Sequence, residues 1–174
     1  NSKLAASVGI GAPVYDYKSE FGLLVIGFLP GKTFDGSDVA ENADRIASSV
    51  KQLHSAPKFK LDFDMFQIQA RYLSIVTDRG FRLPEGYASF IKAKDDLHLA
   101  LTKTDTGKVP CNNDLLPANF IDDGQKIWLI DYEYSGNNDP CFELGNIWSE
   151  SGQDIEVLHQ LIKGYYGSER KDKF

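Results

Sequence analysis

The stretch CNNDLLPANFIDDGQKIWLID, residues 111–131, decides the fold, because polar residues stand at both ends of two short apolar runs. The runs NFI and KIWLI are separated by DDGQ, and its DDG triplet is typical of a tight turn. They are therefore predicted to pair as a small antiparallel hairpin. Asp114 and Asn119 lie five positions apart, and Asp131 ends the second run, so the hairpin would place Asn119 and Asp131 side by side.

This arrangement suits phosphoryl transfer, which needs a group to orient the attacking hydroxyl and oxygen ligands for Mg²⁺. Asp114 is a candidate for the base, and Asn119 and Asp131 are candidates for the metal ligands. The catalytic loop of protein kinases has the same step of five from Asp to Asn. The spacing equally fits a turn-forming Asp, a capping Asn and an Asp that ends a strand, so both interpretations stay open at this point.

Length and composition indicate an ordinary globular chain. Its 174 residues can bury a sizeable core, and 42% of them are apolar. The net charge of −6 is unsuited to a phosphate backbone, so we expect no nucleic-acid partner, whereas a small cationic substrate fits this sign. No apolar run approaches membrane-spanning length and no signal peptide opens the chain, so we expect no membrane partner. A cytoplasmic location follows as an expectation, with Cys111 and Cys141 as free thiols.

The remaining patterns predict two short strands followed by a mainly helical body. The segments VYDY (14–17) and FGLLVIGFL (21–29) are predicted to form a hairpin. A helix is predicted to begin at Asp38, which has Glu41 at capping-box spacing, and to end at His54. Further helices are predicted for 62–79, 84–103, a segment from about Phe142, and 153–166. The fold class is therefore α+β.

Two stretches resemble a known family. NNDLLPANFI (112–121) and WLIDYEYSGNNDPCFELGN (128–146) are similar to the HNDLLPENF-like loop and the LIDWEYAG-NDP-FDLGN-like segment of the choline/ethanolamine kinase group. That group lies within the aminoglycoside-phosphotransferase-like kinases. The close similarity covers residues 110–147, and weaker similarity in GLLVIGFLPGKTF and IASSVKQLHS extends it from about residue 8 to 166.

The resemblance implies a protein-kinase-like fold and an ATP-dependent kinase acting on a hydroxyl of choline, ethanolamine or a similar amino alcohol. Residues 1–29 would be the end of the N-terminal lobe, a remnant of its sheet with the hinge strand. Residues 30–174 would be the mainly helical C-terminal lobe with the small catalytic hairpin. Asp114 resembles the catalytic base, and Asn119 and Asp131 resemble the Mg²⁺ ligands. The adenine of ATP would meet the backbone of the hinge strand at Gly27, Phe28 and Leu29.

For the acceptor, the resemblance implies a pocket of aromatic faces and carboxylates, because a quaternary ammonium has no N–H to donate. The candidates are Glu133, Tyr134, Trp148 and Glu150. Glu143 is a further candidate carboxylate. Aromatic residues at helical spacing also belong in cores, so packing stays open as the role of Trp148. For His54, capping or packing is expected rather than catalysis. A homodimer is left open as the assembly state.

The chain departs from the family pattern in two places. Asn112 stands where the family has a His that braces the catalytic loop, so we expect the loop to persist with some loss of order. The phosphate loop, strand Lys and helix Glu that grip the nucleotide do not precede the hinge in this sequence. We therefore expect the 174-residue chain alone to bind ATP poorly and to turn over little. Two alternatives stay open: a kinase for an aminoglycoside, thiamine or a sugar, and a degenerate kinase acting as a non-catalytic binding module.

Overall fold

The computed structural model describes residues 1–103, 107–168, 170 and 173, which form two compact units. The first unit comprises Asn1–Phe63 and Lys108–Phe174, and the second comprises Asp64–Gly107. Of the helices in these described ranges, none combines the length and the apolar character that a membrane span needs. The lobe boundary expected between residues 29 and 30 stays a prediction.

The first unit opens with a short helix and a two-stranded sheet. Helix α1 (Ser2–Ser7) is followed by strands β1 (Val14–Lys18) and β2 (Leu23–Ile26), which pair antiparallel. The hairpin expected from VYDY and FGLLVIGFL is confirmed, although β2 is shorter than the predicted segment. The turn passes through Gly22, whose φ of 62° lies in the left-handed region that Gly adopts without a Cβ clash.

Two helices follow where one was predicted: α2 (Gly36–Glu41) and α3 (Ala43–His54). The N-cap of α2 is Asp35 rather than the predicted Asp38, because the Asp35 carboxylate accepts hydrogen bonds from two backbone N–H groups of the first turn. Asp38 instead occupies the third helical position, where its carboxylate accepts from the backbone N–H of Asp35 and pairs with Lys32. Each Asp has an acidic residue three positions later, so spacing alone could not distinguish the two caps.

The second unit, Asp64–Gly107, holds helices α4 (Met65–Asp78) and α5 (Ser89–Lys103), which lie within the two segments predicted to be helical. Asp64 caps α4 by accepting from two backbone N–H groups. The ring of Phe66 stacks on that of His98 with 4.1 Å between centroids. Within the described ranges of both helices no residue is buried, so this unit has no packed core of its own.

The hydrophobic core of the first unit is mainly helical. Helix α3 packs against α7 (Ile155–Tyr166), which also packs against α6 (Pro140–Ser151). The apolar face predicted for α3 is fully buried, with its centre at Ile46, Ala47, Val50 and Leu53. Each large aliphatic side chain buried in this way stabilises the fold by about 1.5–3 kcal/mol. This core is the base on which the candidate site rests.

Five short strands complete the first unit: β3 (Lys32–Thr33), β4 (Val109–Cys111), β5 (Phe120–Asp122), β6 (Ile127–Leu129) and β7 (Gly136–Asn138). The predicted hairpin is confirmed as the antiparallel pair β5–β6, and β3 adds to the other edge of β5. A separate antiparallel pair joins β4 to β7. Phe120 and Leu129, opposite each other in the hairpin, are fully buried and anchor it in the core. The strands β3, β4 and β7 were not predicted, because two or three residues are too few to show an alternating pattern and, unlike β5 and β6, they pair with strands far away in the sequence and not across a recognisable turn.

Candidate active site

The structure brings Asp114, Asn119 and Asp131 together at the open end of the β5–β6 hairpin. The backbone N–H of Ile130 donates to the carbonyl of Asn119 at 3.1 Å, which extends the pairing beyond β6 and sets Asp131 next to Asn119. The side-chain amide of Asn119 donates to the carbonyl of Asp114 at 2.7 Å. The first hydrogen bond joins the two arms of the hairpin, and the second joins the arm that contains Asn119 to the preceding loop.

Asn112, the departure from the family pattern, is part of the framework of this loop. Its side chain is fully buried, and Nδ2 donates to the carbonyls of Ile130 at 3.0 Å and Asp131 at 2.9 Å. Its Oδ1 accepts from the backbone N–H of Asp114 at 3.1 Å. The amide uses both its donor and its acceptor capacity, so an Asn makes bracing contacts of the kind that the family pattern assigns to a His.

Two residues of the site adopt left-handed backbone conformations. Asn113 has a φ of 68° and Asp131 a φ of 59°, a region that costs about 1–3 kcal/mol for a residue other than Gly. The Asn113 side chain is held by donation to the carbonyls of Tyr134 at 3.1 Å and Gly136 at 3.3 Å. Backbone strain of this kind, supported by neighbouring hydrogen bonds, is typical of functional sites.

Glu143 on α6 is a residue of the site whose role the sequence did not reveal. It is fully buried, and its Oε1 accepts from the backbone N–H groups of Asn112 at 2.6 Å and Asn113 at 2.9 Å. Its Oε2 lies 2.6 Å from Nε2 of His54, whose Nδ1 lies 2.8 Å from the hydroxyl of Tyr165. The expectation that Glu143 binds the acceptor is wrong, because the carboxylate is sealed from solvent and both oxygens are engaged. A Glu between Phe and Leu on a helix can be exposed or buried, so no signal in the sequence indicated that Glu143 would accept hydrogen bonds from the loop backbone.

The carboxylates of Asp114 and Asp131 lie close enough to repel each other. Partial burial and the negative charge of Asp131 raise the pKa of Asp114 above its ordinary value. Within the described part of the chain, neither carboxylate accepts a hydrogen bond. The Asn119 amide, oriented by its donation to Asp114, leaves its oxygen as a further ligand. Carboxylate and amide oxygens are the ligands that Mg²⁺ prefers, so these residues fit the ion, which would relieve the repulsion.

The predicted hinge residues follow β2. Gly27 is buried, and its N–H already donates to the carbonyl of Pro13 at 2.7 Å. Phe28 is 90% exposed, and Leu29 is half-buried. Their contact with a nucleotide stays a prediction.

The predicted acceptor residues lie in the loop after β6 and on α6. Glu133, Tyr134 and Glu150 are exposed. Trp148 is half-buried against the core, and its Nε1 donates to the carbonyl of Gln153 at 2.9 Å. Trp148 therefore has the packing role that was left open for it, while the contact of all four side chains with an acceptor stays a prediction.

Both cysteines are free thiols, as expected. Burial raises the pKa of Cys111 far above its ordinary value, and that of Cys141 is raised by the same cause. Because the thiolate is the nucleophilic form, neither side chain is suited to covalent catalysis.

Comparison with known proteins identifies the family. A sequence model of the choline/ethanolamine kinase family matches residues 18–166, and the chain therefore belongs to that family. The LicA protein of Haemophilus influenzae is 25% identical over an alignment of 179 positions, gaps included, which covers 95% of this chain and 50% of that protein. A LicA homologue of Mycoplasma capricolum is 30% identical over 128 residues, covering 71% of this chain and 50% of the homologue. The chain thus spans about half the length of the curated relatives it matches.

Solved structures share the fold. The crystal structure of a choline/ethanolamine kinase family protein from Mesorhizobium loti has a TM-score of 0.89 at 26% identity, covering 98% of this chain and 60% of that one. The structure of choline kinase LicA from Streptococcus pneumoniae has a TM-score of 0.82 at 26% identity, again covering 98% of this chain and 60% of that one. An aminoglycoside phosphotransferase from Streptomyces rimosus, in complex with ADP and streptomycin, gives 0.72 at 17% identity, covering 99% of this chain and 75% of that one. The expected protein-kinase-like α+β fold is confirmed.

Proposed function

We propose that the intact protein is an ATP-dependent kinase that transfers the γ-phosphate to a hydroxyl of choline, ethanolamine or a similar amino alcohol. The observation that carries the proposal is the meeting of Asp114, Asn119 and Asp131 at the end of the hairpin, in a chain of the choline/ethanolamine kinase family. Because the chain spans about half the length of its relatives, we assign the activity to the intact protein. The 174-residue chain alone is expected to turn over little.

In this proposal Asp114 is the catalytic base. With no competing hydrogen-bond donor among the described residues, its carboxylate can accept the hydrogen of the acceptor hydroxyl and orient that oxygen toward the γ-phosphorus. As the new P–O bond forms, the bond to the leaving ADP oxygen breaks and the hydroxyl proton passes to Asp114. Phosphoryl transfer depends chiefly on positioning, so the bracing of the loop by Asn112 matters as much as the carboxylate itself.

Asn119 Oδ1 and the carboxylate of Asp131 would hold Mg²⁺. When bound, the ion neutralises charge on the β- and γ-phosphates. The chain contributes fixed ligand positions: the Asn119 amide is oriented by Asp114, and the Asp131 backbone carbonyl is tied to Asn112. Asp114 takes the proton beside Asp131; partial burial, together with the negative charge of Asp131, raises the pKa of Asp114 and so favours its protonated form.

The acceptor is assigned to the loop after β6 and to the outer part of α6. Tyr134 and Trp148 offer ring faces, and Glu133 and Glu150 offer carboxylates, a combination that attracts an ammonium without requiring an N–H. Support comes from the exposure of Glu133, Tyr134 and Glu150 and from the acidic balance of the chain. We place the reaction in the cytoplasm, where ATP is available.

The nucleotide is assigned to the hinge at the end of the N-terminal lobe, residues 1–29. Its adenine would meet the backbone of Gly27, Phe28 and Leu29. Because the Gly27 N–H is already engaged with Pro13, the hydrogen bonds to adenine are assigned to the Gly27 carbonyl and to the backbone of Phe28 and Leu29.

An acceptor panel tests the proposed function. The intact protein is incubated with ATP, Mg²⁺ and one of choline, ethanolamine, thiamine, an aminoglycoside or a sugar, and both ADP and the phosphorylated product are measured. Choline or ethanolamine is expected to give the highest kcat/KM. If both are silent while another acceptor reacts, the acceptor assignment fails. If every acceptor is silent while Mg·ATP still binds, the protein is a non-catalytic binding module.

A further inference from the structure

One buried amide satisfies the backbone of a segment that lies outside the helices and strands. Asn137 of β7 is 4% exposed. Its Oδ1 accepts from the backbone N–H of Phe59 at 2.8 Å, and its Nδ2 donates to the carbonyl of Phe59 at 2.9 Å. Nδ2 also donates to Oδ1 of Asp62 at 3.0 Å and lies 3.3 Å from the carbonyl of Leu61. Because Phe59 is buried, these bonds take the place of water, and one side chain fastens residues 59–62 to the strand.

The backbone of Asn137 faces the same segment. Its N–H donates to the carbonyl of Leu61 at 3.0 Å, and its carbonyl accepts from the N–H of Phe63 at 2.9 Å. On the other side of β7, Pro110 of β4 lies opposite Asn137. Proline has no N–H, so it fits opposite a residue whose backbone groups face away from it. The strand β7 is therefore held on both sides, by β4 and by residues 61–63.

Asp62 ties this segment to β4 as well. Its Oδ2 accepts from Nζ of Lys108, the residue directly before β4, at 3.0 Å. Hydrogen bonds from Asn137 and from Lys108 lower the pKa of Asp62 below its ordinary value. The carboxylate is thus ionised at neutral pH, and the Asn137 amide supplies a donor that a carboxylate at position 137 would lack.

The strand β7 is also the downstream end of the loop that we assign to the acceptor. Only Ser135 stands between Tyr134 and the first residue of β7, Gly136. The chain packs closely there, since a Cβ at Gly136 would lie 2.9 Å from the backbone nitrogen of Phe63. The position of β7 against residues 59–63 therefore determines where the loop ends.

We propose that Asn137 is a positioning residue for the acceptor: it sets the placement of Glu133 and Tyr134 by fastening the strand that follows them to residues 59–62. The inference rests on the proposed function, which assigns the ammonium group of the acceptor to these side chains. The described hydrogen bonds of the Asn137 side chain go to residues 59–62 rather than to the loop that holds Asp114. Its loss should therefore weaken acceptor binding and leave the chemical step in place.

Asn137→Ala in the intact protein tests this separation. The KM for choline and for ethanolamine is expected to rise about tenfold, the equivalent of one lost cation–π contact. The kcat and the KM for ATP should stay within about threefold, because Asp114 and Asp131 keep their bonds to Asn112. Gln160→Ala, which truncates an exposed amide of α7, is the matched control and should leave all three constants unchanged.

The KM also distinguishes positioning from simple destabilisation. Because KM does not depend on the concentration of folded enzyme, a variant that merely unfolds more easily loses apparent kcat and keeps its KM. A folded Asn137→Ala with parental KM for both acceptors, a loss confined to kcat, or an equal rise in the KM for ATP would each overturn the proposal.

A second pair of variants keeps the test decisive if Asn137→Ala does not fold. Asn137→Asp keeps an acceptor for the N–H of Phe59 and sets two carboxylates about 3 Å apart, so the acceptor KM should rise. Adding Asp62→Asn should lower that KM again, because the amide introduced at position 62 can donate to the carboxylate at position 137. A parental acceptor KM for Asn137→Asp, or no recovery on adding Asp62→Asn, would overturn the proposal.

A double-mutant cycle shows whether Asn137 acts through the acceptor residues. In a Glu133→Gln/Tyr134→Ala background, Asn137→Ala is expected to change the acceptor KM by less than about twofold, since the side chains that it positions are gone. A further tenfold rise would mean that the effects are independent, and the positioning role would fail.

The Glu133→Gln/Tyr134→Ala background also separates the two proposals. If its own acceptor KM is parental, the acceptor assignment in the proposed function fails, and the positioning role fails with it. If its acceptor KM rises while folded Asn137→Ala keeps the parental value, only the positioning role of Asn137 fails.

Discussion

Asn112→Ala tests how the base loop is held. The substitution removes three hydrogen bonds, from Nδ2 to the carbonyls of Ile130 and Asp131 and from the N–H of Asp114 to Oδ1. Each bond contributes a net ~1 kcal/mol, and a buried group left without a partner costs ~1–3 kcal/mol. Because Asp131 is exposed, its carbonyl can regain a water molecule. The free energy of unfolding is therefore expected to fall by about 2–4 kcal/mol, less than the sum of three full penalties.

The assay is urea denaturation of the 174-residue chain followed by tryptophan fluorescence, because Trp128 and Trp148 both lie in the unit that holds the loop. For a chain of this size the expected loss corresponds to a Tm lower by roughly 5–15 °C. Gln125→Ala, which truncates an exposed amide in the hairpin turn, is the control and should stay within about 0.5 kcal/mol of the parent. If Asn112→Ala also stays within about 0.5 kcal/mol, the amide does not brace the site and the reasoning is refuted.

Three further predictions concern other parts of the first unit. Tyr132→Phe removes a buried hydroxyl that has no hydrogen-bond partner among the described residues. The free energy of unfolding, measured by urea denaturation, should therefore rise by about 1 kcal/mol. A lower free energy of unfolding would mean that the hydroxyl does have a partner. Gly31→Ala sets a Cβ 2.4 Å from a backbone oxygen of β5 and should cost about 1–3 kcal/mol. Its control, Gly145→Ala, meets open space on α6 and should stabilise by about 0.5–1 kcal/mol, so equal urea midpoints would contradict the packing argument. Hydrogen bonds from the Lys126 backbone and the Trp128 ring lower the pKa of Asp123 from 3.8 to about 2, so its ionised form adds stability above pH 3.8 that is lost as the pH falls toward 2. The Tm of Asp123→Asn should therefore be below that of the parent at neutral pH and approach it near pH 2; a difference that widens in acid would be the opposite result.

The hairpin and the three polar residues around it could be predicted because their signals are local. A DDG turn between two apolar runs determines which residues face each other, and Asp131 follows directly from the end of the second run. The apolar face of α3 was predicted for the same reason, since its spacing repeats along one helix.

The support beneath the site could not be predicted, because it depends on contacts between distant segments. Glu143, His54 and Tyr165 meet only after three helices have packed, and a Glu on a short helix carries no sign of its burial. The predicted start of α2 was wrong for a different reason. Asp35 and Asp38 have equal capping signals in the sequence, and the contact of Asp38 with Lys32 favours a helix that begins after Asp35. The replacement of the family's His by Asn112 predicted some loss of order in the loop. In the structure, both polar atoms of the buried Asn112 side chain have hydrogen-bond partners.

The kcat of Asp114→Asn in the intact protein, measured with choline and ethanolamine, tests the central claim most directly. The substitution preserves the shape of the side chain and removes the proton acceptor. The claim predicts that kcat falls by about 10²–10⁴-fold, the usual contribution of a general base, while the Kd for Mg·ATP changes little. Parental turnover by Asp114→Asn, with the same acceptors, would contradict it.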